Sequence, residues 1–508
     1  MIQQTAHEPI IIDWLAHHAR ARGDATAAID LNTGRRFTYR QFHRRAACLG
    51  QALVSRFGVR PGDRVMVLAR NSTDVYETMF AAWRIGAVFM PINWRLAPPE
   101  LAAIAADGAP RLIVADEEFK ALVPTGPWAT LLRRPGAPAS DYEQAIATAA
   151  PDPTFAKATF ETPNTLLYTS GTTGQPKGVI GNWRMTTLIV LQSTLNGQLG
   201  PDCVTLTSAP LFHTAGLNSY AMPMFHYGGA VAVLANWDPD SALRHMSDPA
   251  LGVTHTLGVP TQYLMMARHP RFADATFPTI RLAACGGAPA TPDLMDTWAA
   301  KGLKLTPGYG MTECFGVTTI RADVARRKPG AVGWPAMYTD IRIADENNVP
   351  LGVGGVGEIQ IKSPGTTPGY WRQPDATRAA FVDGWYKTGD IGYLDDEGLL
   401  FVVDRKKDMF ISGGENVYPV EVENVFSRFP EVGQIAVIGV PDATWGEVGK
   451  AFVVARAGHA VDGAALIARC AGLIAKYKIP KIIEVVDSLP LSAQGKVLKT
   501  ELRKRHGA

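Results

Sequence analysis

The residues from Tyr168 to Val179, Tyr-Thr-Ser-Gly-Thr-Thr-Gly-Gln-Pro-Lys-Gly-Val, are of the types that grip an anion. Gly171 and Gly174 let the backbone turn sharply and bring its N–H groups against a charged oxygen. The hydroxyls of Thr169, Ser170, Thr172 and Thr173 add donors, and Lys177 adds a positive charge. The pattern is not a P-loop. Counted from Gly171, Lys177 falls in place, but Pro176 replaces the second glycine and Gly178 stands where Ser or Thr would hold Mg²⁺. The loop therefore suits phosphate by a different design, with an unliganded Gly/Thr-rich surface loop as the plain alternative.

Four later segments share this character. Gly308-Tyr-Gly-Met-Thr-Glu313 offers an aromatic face, a hydroxyl and a carboxylate, and Tyr386-Lys-Thr-Gly-Asp390 is expected to end in a carboxylate on a tight turn. Asp404-Arg-Lys-Lys-Asp-Met-Phe-Ile-Ser-Gly-Gly-Glu-Asn416 is a charged turn leading to a glycine pair, and Leu489-Pro-Leu-Ser-Ala-Gln-Gly-Lys496 puts one lysine on a loop. Singly, each has an ordinary explanation: Asp390 could cap a turn, Arg405 could form a surface ion pair, and Lys496 could be solvated.

The elements that must position these residues read as alternating helix and strand. Thr38-x-x-Gln41 is a capping-box pattern, and Phe42, Ala46, Leu49, Leu53 and Phe57 follow at helical spacing up to Gly58. Arg64–Ala69 reads as a buried strand, 73–85 as a helix and 86–91 as the next strand, which together make a βαβ unit of a parallel sheet. Similar alternation runs from Leu166 to about Leu305. The Ala- and Pro-rich stretch 109–160 yields no assignment. Beyond about 330 the texture becomes short strands, at 341–343, 357–362 and 398–403. A final α+β unit begins at Arg405, with a helix over 419–429, strands over 435–440 and 450–455, and a second helix over 463–477. Gly352-Val-Gly-Gly-Val-Gly357 matches the dinucleotide fingerprint, but it follows a turn and enters a strand, so it reads as a hairpin connection.

A chain of 508 residues is too long for one ordinary core. Apolar content of 46% and charged content of 19% are those of a globular protein, and a net charge of +3 is too small to call for nucleic acid. The five cysteines are scattered with no CxxC pair, as in a cytoplasmic protein with reduced thiols. No signal peptide, 18-residue apolar run or SKL-type terminus is expected.

Taken together in this order, the five segments resemble the adenylate-forming superfamily of acyl-CoA synthetases, adenylation domains and firefly luciferase, over almost the whole chain. The resemblance implies a large N-terminal domain over 1–404, built of parallel-sheet α/β subdomains with a β-rich subdomain, and a small mobile α+β domain over 405–508. It implies two half-reactions: a carboxylate attacks the α-phosphate of ATP to give acyl-AMP and pyrophosphate, then the thiol of CoA displaces AMP. Mg²⁺ is the expected metal, held by Glu313. By resemblance Thr312 contacts the α-phosphate, Tyr309 stacks on the adenine with Gly287, Ala288 and Pro289 on its other side, Gly310 belongs to the nucleotide site, and Asp390 accepts from the ribose with help from Arg405. Lys496 bridges the substrate carboxylate and the α-phosphate. The small domain is expected to rotate about Lys407, bringing Ser412, Gly413, Gly414 and Glu415 to the pantetheine tunnel for the second step.

His213, in Pro210-Leu-Phe-His-Thr-Ala-Gly216, matches the family's aromatic motif beside the acyl group; a satisfied core histidine is the alternative. The expected pocket walls are Gly216, Leu217, Tyr220, Cys285, Gly286, Met311, Cys314, Phe315 and Val317. None bears a formal charge, so a second charge on the acid would be buried without a partner. That points away from dicarboxylates and amino acids and toward a neutral tail. The surrounding patterns are similar to medium- and long-chain fatty-acid ligases and to feruloyl- or coumaroyl-CoA ligases. The first is preferred here only as the commoner substrate class. No carrier-protein domain is expected after Lys496, which favours CoA as acceptor. A luciferase-like oxygenase remains as a remote alternative, as does a non-catalytic AMP-binding relative, although the latter would be expected to have lost Lys496 or Glu313. Family members occur as monomers and homodimers.

Overall fold

The computed structural model describes residues 11–169, 176–288, 290–406, 408–412, 415–471, 473–492 and 495–506. Its first sheet orders the strands Ala129–Arg133, Leu112–Asp116, Arg64–Leu68, Val88–Pro91, Pro163–Thr169 and Lys177–Asn182. All neighbours are parallel except the last pair, an antiparallel hairpin. Arg64–Leu68, Val88–Pro91 and Leu112–Asp116 are nearly continuous buried apolar runs, as strands covered on both faces must be. A second sheet runs Leu305–Gly308, Leu282–Gly286, His255–Gly258, Val204–Thr207, Ala230–Val233, Thr26–Asp30 and Arg36–Thr38, again parallel but for the last pair.

The two sheets share one core around the helices Tyr39–Phe57 and Thr73–Arg84. The first begins with the expected capping box, Gln41 N–H donating to Thr38 Oγ1 at 3.2 Å and Thr38 N–H to Gln41 Oε1 at 2.9 Å. It ends where Gly58 turns left-handed at φ 64°. Every residue of Thr73–Arg84 is buried, including Asp74 and Glu77, which are met by Arg35 at 2.7 Å and Arg45 at 2.5 Å. Buried carboxylates persist only with such partners. The unassigned stretch 109–160 supplies the strands Leu112–Asp116 and Ala129–Arg133 and the helix Asp141–Thr148.

The β-rich part is an antiparallel sheet of Thr318–Thr319, Ala331–Pro335, Leu400–Arg405, Trp385–Leu394, Gly357–Lys362 and Asp340–Ala344, with Phe381–Val382 beside Trp385–Leu394. Gly352–Gly357 is the connection between the antiparallel strands Asp340–Ala344 and Gly357–Lys362, so the fingerprint there is a hairpin. Residues from Phe410 onward form separate cores around the long pair Val432–Asp442 and Gly446–Ala455. Two local expectations need correcting. The second helix there covers only Gly463–Arg469, capped at Cys470, with a single 3-10 turn at Lys476–Lys478. Asp390 lies within the strand Trp385–Leu394, one residue after Gly389 at φ 71°, rather than at the end of a turn. Among the described residues no helix is long and apolar enough to cross a membrane.

Candidate active site

The hairpin Pro163–Thr169/Lys177–Asn182 carries the Gly/Thr-rich loop at its tip. Ser170, Gly171, Thr172, Thr173 and Gly174 lie outside the described residues. At the base, Thr169 and Lys177 are register partners, with Thr169 Oγ1 donating to the Lys177 carbonyl at 3.5 Å. The returning strand is tied to the segment after Thr366: Trp371 N–H donates to Gly178 O at 2.7 Å and Ile180 N–H to Gly369 O at 3.1 Å. These ties set the Tyr370 ring under Lys177, whose Nζ is 5.1 Å from the ring centroid.

Tyr370 reaches the second charged group as well. Its hydroxyl donates to Glu313 Oε1 at 3.1 Å and shares a 3.1 Å hydrogen bond with Tyr386. Thr367 N–H holds the Glu313 carbonyl at 2.8 Å. Desolvation pushes the Glu313 carboxyl above its ordinary value. A desolvated carboxylate whose direct partner is a phenol suits a site that takes up a divalent cation. Among the described residues no three His, Cys, Asp or Glu side chains could enclose a metal. A single carboxylate at such a site would leave the other positions to phosphate and water oxygens, the division Mg²⁺ favours.

Tyr309 follows the parallel strand Leu305–Gly308 and donates its hydroxyl to Asp390 Oδ2 at 2.6 Å. Arg405 Nε lies 3.4 Å from Asp390 Oδ1, because Asp390 and Arg405 are register partners on adjacent strands. Burial and the neighbouring Asp390 raise the Tyr309 phenol well above its usual range, so it stays a donor.

Lys496 enters from the C-terminal part. A Cβ built on Gly287 would stand 3.1 Å from Lys496 Cε and 3.7 Å from Nζ, and Gly287 itself has φ 81°. Only glycine gives the lysine this room without backbone strain. Burial first, and Arg405 second, lower the Lys496 ammonium to about 8, against a smaller opposing effect of Asp390. Its loop is seated on the start of the helix Pro260–Arg268, with Thr261 Oγ1 donating to Gly495 O at 3.3 Å. His213 precedes the short helix Thr214–Asn218, and burial, aided by the charge of Lys496, lowers its imidazole to about 4. Ala215 N–H donates to His213 Nδ1 at 3.2 Å, so the neutral ring carries its proton on Nε2.

Lys496, Gly287, His213, Asp390 and Arg405 are thus brought together, with Tyr309 on Asp390, while Glu313 and Lys177 are joined through Tyr370. The expected acyl walls divide. Leu217, Cys285, and the pair Cys314 and Val317 belong to three different hydrophobic cores, so they shape the cleft from behind. Gly216 is required by packing, since a Cβ there would strike the carbonyl oxygens of Ala209 and Pro210. Tyr220 and Met311 pack at core edges, while Gly286 and Phe315 are half-buried. Ala288 is exposed, and Pro289, Lys407, Gly413 and Gly414 lie outside the described residues. Ser412 and Glu415 pair across their hairpin, and among the described residues no hydrogen bond joins them to the cleft. Sequence reasoning missed Tyr370, Thr367 and Thr261. The Gly365-Thr-Thr-Pro-Gly369 turn was the one local signal near the first two.

Comparison with known proteins gives a consistent picture. A family model described as AMP-binding enzyme matches residues 15–371, and one for the AMP-binding enzyme C-terminal domain matches 421–496. A feruloyl-CoA synthase of an Amycolatopsis species is 40% identical, over 97% of this chain and 98% of that protein. A long-chain-fatty-acid–CoA ligase of Mycobacterium tuberculosis is 33% identical, over 98% of this chain and 99% of that protein. The ATP-bound crystal structure of MatB from Rhodopseudomonas palustris, 31% identical, superposes with a TM-score of 0.88 over 98% of this chain and 99% of that one. The apo crystal structure of the same protein gives 0.79, over 97% and 99%.

Proposed function

From the premise that the chain belongs to the AMP-binding enzymes and is an AMP-forming acyl-CoA synthetase using ATP, Mg²⁺ and CoA, we propose that it activates a neutral carboxylic acid and that the described arrangement is poised for the first half-reaction. The carrying observation is Lys496 packed at Gly287, within electrostatic reach of His213 and of the Asp390–Arg405 pair. The better superposition on the ATP-bound than on the apo MatB structure supports the same arrangement.

In the first step a carboxylate oxygen of the acid attacks the α-phosphorus, and the bond to the β-bridging oxygen breaks to release pyrophosphate. Lys496 holds the two anions together against their repulsion and stabilises charge developing on the α-phosphate. Asp390 accepts from the ribose, kept in place by Tyr309 and Arg405, and Tyr309 and Gly310 cover the adenine. Thr169, Thr312 and Lys177 meet phosphate oxygens, and Glu313 holds Mg²⁺, which supplies charge neutralisation on the polyphosphate when bound. Neutral His213 lies beside the acyl group without adding a competing cation. In the second step the CoA thiol attacks the acyl carbonyl and AMP leaves. Rotation of a domain over 405–508 about Lys407 exchanges Lys496 for the segment 412–415. The independent cores beyond Phe410 support such a unit. A cytoplasmic location fits ATP and CoA as co-substrates.

The acid's tail is neutral because the expected walls offer no charge and His213 is uncharged at physiological pH. We take a hydroxycinnamate-type aryl acid as the first reading, supported by the 40% identity to a feruloyl-CoA synthase. A medium- or long-chain fatty acid is the second, supported by the 33% identity to a fatty-acid ligase. The test is kcat/KM for a panel from butyrate to palmitate with benzoate, cinnamate, coumarate, ferulate and malonate, read as CoA-dependent AMP release. A maximum on malonate would overturn the neutral-tail proposal.

A further inference from the structure

The helix Pro98–Gly108 ends against the hairpin that carries the Gly/Thr-rich loop, and its Asp107 meets both arms of the phosphate end of the cleft. The carboxylate accepts from the Tyr168 hydroxyl at 2.5 Å, one residue before Thr169 on the outgoing strand. The main-chain carbonyl accepts from Trp371 Nε1 at 3.1 Å and from Arg372 Nη1 at 3.0 Å, just beyond Tyr370. Arg372 turns left-handed there, at φ 53°, a backbone conformation that residues with a Cβ seldom adopt. Between the arms lies Gly178, the position where a P-loop would carry Ser or Thr. A Cβ there would stand 3.1 Å from Tyr168 Cζ and 3.2 Å from Trp371 Cβ. Glycine at this position is what lets Tyr168 and Trp371 close over the returning strand.

A carboxylate in the last turn of a helix opposes the helix dipole, whereas cations there are favoured. Arg64 answers the second demand, donating to the carbonyls of Gly108 at 2.8 Å and Ala109 at 2.5 Å. Asp107 is the one acidic residue of that turn, and the helix by itself gives no reason for it. We propose that Asp107 is a positioning residue for the polyphosphate of ATP. Its side chain fixes the strand bearing Thr169, its carbonyl fixes the segment bearing Tyr370, and the two together set Lys177 against the Tyr370–Glu313 pair. The inference rests on the reading above that Lys177 and Glu313 meet phosphate and Mg²⁺.

The test compares wild type, Asp107→Ala, Asp107→Asn and Tyr168→Phe as full-length enzymes. It reads KM for Mg·ATP and for the acid in pyrophosphate release, Mg·ATP affinity by calorimetry, and thioester formation from supplied acyl-AMP. In Asp107→Ala and Tyr168→Phe, KM and Kd for Mg·ATP should rise about fivefold or more, the ratio one net hydrogen bond carries. KM for the acid and thioester formation should stay within about twofold, with the melting temperature nearly unchanged. Asparagine still accepts from Tyr168, so Asp107→Asn should hold Mg·ATP affinity within about twofold of wild type. Unchanged Mg·ATP affinity in the alanine variant would overturn the inference. So would losses in every readout together with the melting temperature, the mark of a merely structural residue. Enzymes that show these shifts in Mg·ATP affinity but form no acyl-AMP would uphold the inference and overturn the adenylation reading instead. If Asp107→Ala does not fold, Tyr168→Phe decides alone.

Discussion

Replacing Lys496 with alanine should separate the two half-reactions. Its Nζ lies near Gly287, within electrostatic reach of Asp390, Arg405 and His213. Arg405 is engaged with Asp390, and His213 is neutral, so neither can stand in for the lost ammonium. Removing one preorganised donor aimed at developing charge costs about 3–4 kcal/mol of transition-state stabilisation. At about 1.4 kcal/mol per tenfold, pyrophosphate release should slow by roughly 10²–10³-fold. Thioester formation from supplied acyl-AMP should stay within about threefold, because the proposed rotation takes Lys496 out of the cleft for that step. The alkaline side gives a second reading. The cation is the competent form and burial sets it at about 8, so kcat/KM for ATP in the wild type should be level below that pH and fall as pH rises through it. Bound phosphates favour the ammonium, so the fall in kcat should lie at higher pH. The variant should lack this limb. Equal loss of both half-reactions, or adenylation within threefold of wild type, would refute the reasoning.

Tyr370→Phe keeps the ring under Lys177 but removes the hydroxyl on Glu313. With about 1.5–3 kcal/mol at stake for a hydrogen bond to a charged group, the Mg²⁺ concentration for half-maximal adenylation should rise about tenfold or more. Calorimetry should show weaker Mg·ATP binding, while thioesterification of supplied acyl-AMP is unchanged. Gly287→Ala places a Cβ 3.1 Å from Lys496 Cε on a backbone at φ 81°. Pyrophosphate release should fall at least tenfold, with the melting temperature lowered by only a few degrees for about 1–2 kcal/mol of strain. Lys407→Pro should leave acyl-AMP formation nearly intact and stop thioester formation, since proline fixes φ at the proposed pivot. Quenched-flow measurement of both steps checks it.

Much of the frame was legible because it is written locally. The capping box at Thr38 and Gln41 lies within one turn, and the strand at 357–362 is bounded by glycine turns and alternates apolar with polar residues. The motif residues that converge on Lys496 could be named because each sits in its own short chemical signature. What stayed hidden depends on distant pairs. Tyr370 meets Glu313 across 57 residues, and Trp371 meets Asp107 across 264, with nothing in either segment to announce the other. The acyl walls were legible as residue types but not as orientations. Whether Cys285 faces the cleft or the core follows from strand pleating, which places it in the core with Tyr263 and Trp298. The helix expected over 463–477 extended an apolar period beyond Arg469, where the helix ends with its cap at Cys470.

The central claim is that one acid is carried through an adenylate to CoA at the cleft around Lys496. A rapid-quench experiment with ATP labelled at the α-phosphate, Mg²⁺ and the best acid of the panel tests it most directly. Without CoA, labelled acyl-AMP should accumulate to about one equivalent per enzyme, and a CoA chase should convert it to acyl-CoA with release of labelled AMP. Label appearing as ADP, or acyl-CoA formed with no acyl-AMP before it, would contradict the account.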